Sequence, residues 1–160
     1  MSAMHPIEVV GVRVEMPSNQ PIVLVKELDG ERYLPIWVGA VEATAIAFAQ
    51  QGVTPPRPLT HDLMASLVEA VGRPLLKVFL TEIRDGIFYS DLYFEGDVVI
   101  SARPSDALAL ALRLGTPIFA SDELMTAAGI EIPESSENPE EEVERFKEFL
   151  DHINPEDFAG

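Results

Sequence analysis

The stretch from residue 75 to residue 101, LLKVFLTEIRDGIFYSDLYFEGDVVIS, decides the fold class. Leu75 to Ile83 and Ile87 to Phe94 flank Asp85-Gly86, and Glu95-Gly96-Asp97 then turns the chain into Val98 to Ser101. Turn residues of this kind between β-rich runs predict a three-stranded antiparallel meander. A second meander stands upstream. Ile7 to Met16 alternates and sets a valine face (Val10, Val12, Val14) against a mixed one, as a strand with one buried side does. Pro17 to Pro21 reads as a turn, after which Ile22 to Leu28 and Arg32 to Val38 flank Asp29-Gly30. Pro35, which has no N–H to give to a ladder, places the last of these strands at an edge or a bulge.

The intervening segments read as helices. Ala40 to Gln51 is alanine-rich and closed by Gly52, which predicts a largely buried helix. In the helix after Thr60, Leu63, Met64, Leu67, Val68 and Val71 form one apolar stripe, expected to face the core, with His61, Asp62, Ala65 and Glu69 on the other side. Past Ser105 and Asp106 at its start, Ser105 to Leu114 is apolar all round apart from Arg113, so it belongs in the centre. Pro117 to Ala120 reads as a last short strand and Asp122 to Ala128 as a short helix. Grouped strands rather than single strand–helix alternation argue for an α+β fold. Its mixed or antiparallel sheet is built from two meanders packed with three to four helices, in one domain over residues 1–132.

Residues 133–160 read as an acidic linker and a C-terminal amphipathic helix, with Asn138 and Pro139 at its start and Val143, Phe146, Leu150 and Ile153 along one face. Such a face is expected to dock on the body or on a partner.

Composition narrows the chemistry. There is no cysteine among the 160 residues, which excludes disulfides, thiolate metal sites and a cysteine nucleophile. With 47% hydrophobic residues, no basic leader and no membrane-length apolar run, the expectation is a soluble cytoplasmic protein without membrane attachment. The net charge is −16, of which residues 131–160 carry −9. No basic cluster is visible, so contact with nucleic acid would need a metal ion or a patch assembled by folding or oligomerisation.

Two copies of one pattern stand out. Arg57-Pro58-Leu59-Thr60-His61-Asp62 runs through a helix to Gly72-Arg73-Pro74, and Arg103-Pro104-Ser105-Asp106 runs through another to Gly115-Thr116-Pro117. Proline, hydroxyl residues and aspartate are ordinary helix-starting residues, and Gly with a following Pro ordinarily stops a helix. The same residues also set an arginine and a carboxylate at two helix N-termini, where anions are favoured. His61, present in one copy only, is not required by capping.

These runs, with Leu34-Pro35-Ile36-Trp37-Val38-Gly39 and Glu42-Ala43 upstream and Ala107 and Ala109 downstream, closely resemble the bifunctional nuclease (BFN) domain family. The three motifs occur in the family's order and span about residues 6–132. The tail from Phe146 to Phe158 looks like tails in bacterial members. The resemblance implies cleavage of DNA and RNA, as associated with the plant members.

Phosphodiester cleavage needs an activated water, stabilisation of a highly charged transition state and help for the leaving oxygen. Asp62 and Asp106 would hold Mg²⁺ or Mn²⁺, with Glu42 as a third ligand. His61 would be the general base or acid, and Arg57 and Arg103 would clamp the phosphate. Against this, the local grammar favours Asp106 as a helix cap, and Glu42 reads as a complement to the helix dipole. Arg57 and Arg103 can also pair with Asp62 and Asp106 in a structural network. The competing function is a non-catalytic regulatory or interaction domain that forms a homo-oligomer.

Overall fold

The computed structural model describes residues 3–15 and 17–131; the linker and helix expected over 133–160 lie outside the described residues. Three antiparallel strands open the chain, β1 (Met4–Glu15), β2 (Gln20–Glu27) and β3 (Arg32–Trp37), followed by two helices, α1 (Ala40–Gln51) and α2 (Thr60–Val71). A second antiparallel set follows, β4 (Leu75–Arg84), β5 (Ile87–Phe94) and β6 (Val98–Ala102), then α3 (Pro104–Leu114), β7 (Ile118–Ser121), α4 (Asp122–Ala128) and β8 (Ile130–Glu131). The fold is α+β, as the two meanders predict.

The eight strands form one mixed sheet in the order β6-β5-β4-β7-β1-β2-β3-β8. The short strand β7 joins the meanders: Ile118 to Ala120 run parallel to Val78 to Leu80 of β4, and Ile118 to Ser121 run antiparallel to Met4 to Ile7 of β1. The β2–β3 and β4–β5 turns fall at the Asp-Gly pairs. At the second, Asp85 and Gly86 adopt φ of 53° and 77°, the left-handed pair that a tight hairpin demands and that Asp and Gly tolerate. Pro35 faces Leu24 of β2 on one side, and on the other lies beyond Arg32 and Tyr33, the two residues that β8 covers. It is an edge proline, as its missing N–H requires.

The valine face of β1 is not the buried one. A register shift between Val9 and Gly11 changes the phase of the alternation, so Ile7, Val9 and Val12 pack on the core while Val10 and Val14 remain exposed. Helix α1 packs on β1 and β2, α3 on β4 and β5, and α4 against β3, β4 and β7. Helix α1 is buried on one side only, through Ala43, Ala45 and Ile46. Ala107 to Ala111 of α3 are buried in the centre, as its sequence predicts.

Helix α2 reverses its expected orientation. His61 is its buried residue, whereas Leu63, Leu67 and Val71 are 51%, 55% and 74% exposed. Met64 and Ala65 are the members that reach the core. Leu108→Ala in α3 should therefore cost about 2–5 kcal/mol of stability, and Leu67→Ser in α2 less than about 0.5 kcal/mol. Urea titrations of the two variants check the contrast.

Candidate functional site

The two Arg-Pro motifs meet across α2 and α3, and the meeting is polar. His61 Nε2 lies 2.8 Å from Asp106 Oδ1, joining the first motif to the second. Further along α3, Arg113 Nε donates to Asp62 Oδ1 at 2.6 Å, and its other nitrogens donate to the carbonyls of Ala109 and Ala45. Arg113 thus ties α1, α2 and α3 together from a nearly buried position. The Arg113 guanidinium, helped by the Leu59 N–H that Asp62 Oδ2 accepts, holds the Asp62 carboxyl below the usual carboxylate range.

Arg103 stands at the rim. Its Nε and a terminal nitrogen donate to Asp106 Oδ2, and that nitrogen also donates to Glu42 Oε1 at 2.9 Å. The carboxylates of Glu42 and Asp106, in that order of effect, strengthen its hold on its proton. Glu42 folds back over the start of α1, where a Cβ on Gly39 would collide with its carboxylate, so the glycine of the Trp37-Val38-Gly39 run makes room for it. Arg103, Ser105, Trp37 and Phe88 line a crevice of about 10 Å³, the size of one water. A wider groove of about 360 Å³ opens between α1, α2 and α3, with Val53, Asp62, Ser66, Glu69 and Arg113 on its walls.

Asp106 does not cap α3. The N-cap is Arg103, without a side-chain cap, and Pro104 fills the first turn. Of the pairings open to the two motif arginines, one forms. Arg103 meets the aspartate of its own motif, Asp62 is taken by Arg113, and the cross-link is His61 to Asp106. Arg57 is exposed in the segment leading into α2 and makes none of these ion pairs.

As a ligand set for Mg²⁺ or Mn²⁺, Asp62, Asp106 and Glu42 do not fit this arrangement. Their donor atoms do not converge within 4.8 Å of one another, and Arg113, the Leu59 N–H, His61 and Arg103 occupy them instead. Among the described residues, the trio of such side chains whose donor atoms converge within 4.8 Å is His5, Glu27 and Asp29, on other elements.

That second cluster is invisible to local reading of the sequence. Buried Glu27 receives Arg32 through both oxygens, and His5 bridges Asp29 and Asp122. Arg32 lowers the Glu27 pKa, while Asp122 and Asp29 raise that of His5. Arg113, by contrast, had a visible signal as the one basic residue in a largely apolar helix.

A mixed-sheet α+β domain with paired Arg-Pro helix starts defines the class. The bifunctional nuclease domain model matches residues 23–133, and the chain belongs to that family. An uncharacterized protein of Mycobacterium tuberculosis is 50% identical over 98% of this chain and 99% of its own length. Bifunctional nuclease 1 of Oryza sativa subsp. indica is 27% identical over 71% of this chain, which spans 36% of the rice protein. A bifunctional nuclease of Oryza minuta matches to the same extent. No helix among the described residues is long and apolar enough to cross a membrane.

Asp62, with its depressed pKa, contributes stability that is fully present above the unfolded carboxylate value of about 3.9 and is lost as pH falls through the lower folded value. Arg113→Gln should therefore shrink the loss of Tm on acidification below about pH 4, in melts recorded from pH 2 to 7. At neutral pH the same variant should lose about 1–3 kcal/mol, because a partly buried carboxylate is left without its partner.

Proposed function

We propose that this chain cleaves phosphodiester bonds in nucleic acid, with His61 and Asp106 as its acid–base pair and Arg103 as its phosphate-holding group. The observation that carries this reading is the 2.8 Å contact between His61 Nε2 and Asp106 Oδ1, made across two helices by the two motifs characteristic of the chain. A carboxylate on Nε2 holds the ring in place and keeps the proton on that nitrogen, leaving Nδ1 as the basic one. Arg103, 56% exposed, presents a planar guanidinium beside Asp106 that suits two phosphate oxygens. Arg57, on the segment before α2, is a second exposed guanidinium for the nucleic-acid backbone. Asp62 and Arg113 hold the helices that carry these groups. The rice relatives, whose names describe bifunctional nucleases, support the choice of substrate class.

The test is hydrolysis of labelled DNA and RNA by the purified chain, with Mg²⁺, Mn²⁺ or EDTA. His61→Ala and Asp106→Asn should each lower the rate by about 100-fold or more, with unchanged circular dichroism. Equal rates in parent and His61→Ala would overturn the assignment.

A second reading, self-association, is favoured by the outer face of α2. Leu59, Leu63, Leu67 and Val71 recur at every fourth position and are 44–74% exposed, making a continuous apolar ridge along the helix. A second copy of α2 is a self-complementary cover for such a ridge, because a two-fold axis sets the same patch against itself. Sedimentation of the parent should give a dimer or larger species, and Leu63→Glu with Leu67→Glu should give monomer. A monomeric parent would refute self-association without bearing on cleavage.

A further inference from the structure

We propose that His5, Glu27 and Asp29 bind a divalent transition-metal ion, with Zn²⁺ as the representative, where β1, the β2–β3 hairpin and α4 meet. None of these residues belongs to the two Arg-Pro motifs. His5 Nδ1 lies 3.1 Å from Asp29 Oδ2 and 3.5 Å from Glu27 Oε2. Ligands held tetrahedrally by bonds of about 2.0–2.1 Å sit roughly 3.3–3.4 Å apart, so these separations are those of neighbouring ligands around one ion.

The surroundings orient each group, and an arriving ion has to displace the proton that Asp122 and Asp29 favour on His5. His5 Nε2 lies 2.8 Å from Asp122 Oδ1, and a carboxylate at that nitrogen keeps a proton there, so that Nδ1, once it has lost its own, is the ligating nitrogen beside Glu27 and Asp29. Glu27 is 3% exposed and is fixed in orientation by Arg32, whose backbone N–H and Nε donate to Oε1 while a terminal nitrogen donates to Oε2. That leaves Oε2 with acceptor capacity on the His5 side. Gly30 provides the room, since a Cβ there would stand 2.8 Å from Glu27 Oε1.

Charge points the same way. The carboxylates of Glu27, Asp29 and Asp122 face the single guanidinium of Arg32, leaving the corner two charges negative when the imidazole is neutral. A divalent ion balances it. One imidazole nitrogen with two carboxylates suits Zn²⁺ or Mn²⁺ rather than Mg²⁺, which prefers oxygen ligands and retained water. Asp29 and Asp122 are half exposed, so the ion can exchange with solution. When bound, it clips the start of β1 to the hairpin and to α4, a structural role separate from cleavage.

The competing arrangement makes protonated His5 the cation of the cluster, with no metal. Calorimetric titration of the EDTA-treated, dialysed full chain with ZnCl₂, MnCl₂ and MgCl₂, alongside thermal melts, distinguishes the two. The site predicts one equivalent of Zn²⁺, a rise in Tm of about 5 °C at saturation, and no shift with Mg²⁺. His5→Ala and Asp29→Ala should each weaken Zn²⁺ binding at least tenfold and abolish the shift, whereas His61→Ala should retain both. Absence of Zn²⁺ binding at millimolar concentration overturns the proposal. So does binding of unchanged affinity in both cluster variants, which would place the ion elsewhere on the chain. Should His5→Ala fail to fold, Asp29→Ala, at an exposed hairpin turn, decides alone.

Discussion

Everything in this fold depends on the pairing of β7 between β4 and β1. Each meander forms its own local hairpins, but neither has a partner beyond itself until Ile118 to Ser121 lie down between them. The strand pairs parallel on one side and antiparallel on the other, and this makes the sheet mixed and continuous. Such pairing spans more than a hundred residues on the β1 side, so its loop-closure cost falls late, after the two meanders have formed locally. Helix α3, whose middle is buried, leads directly into β7 and places it.

With the sheet joined, the three helices α1, α2 and α3 come together, and an ionic network adds to the apolar core they share. Arg113 reaches α1 through the Ala45 carbonyl and α2 through Asp62; Arg103 reaches Glu42 of α1 from the start of α3. A network with this many satisfied members rigidifies the elements it joins. It also serves the proposed chemistry, because a His–Asp pair shared between two helices stays aligned only while those helices keep their relative position. The same network accounts for the partial or full burial of His61, Asp62 and Asp106, while Arg103 and Arg57 are left facing outward.

What could be read from the sequence is what was encoded locally. The Asp29-Gly30 and Asp85-Gly86 turns fixed both hairpins, and Gly52, Gly72 and Gly115, with φ of 68–69°, end the three main helices where the sequence places them. The Ala-Leu composition of α3 indicated its central position. The side of α2 was misread because an apolar stripe records that a face is to be covered without saying by what. Its polar side holds His61, whose burial depends on Asp106, 45 residues further on. The phase of β1 was lost at a bulge that carries no compositional mark beyond Gly11. Residues of the two motifs do meet across α2 and α3, but Asp62 takes Arg113, which lies outside both motifs, rather than Arg57. The His5 cluster draws on four elements and 117 residues of separation, so no window of sequence contains it.

The outward turn of α2 changes how the molecule yields. A helix fastened by apolar burial loosens only with the core, but α2 is fastened chiefly by one histidine, one aspartate and the modest contacts of Met64 and Ala65. Its attachment is therefore more sensitive to acid and to ionic strength than the apolar packing beneath the sheet. The half of the site it carries, His61 with Arg57 just ahead of it, is held to the half carried by α3 mainly through polar contacts.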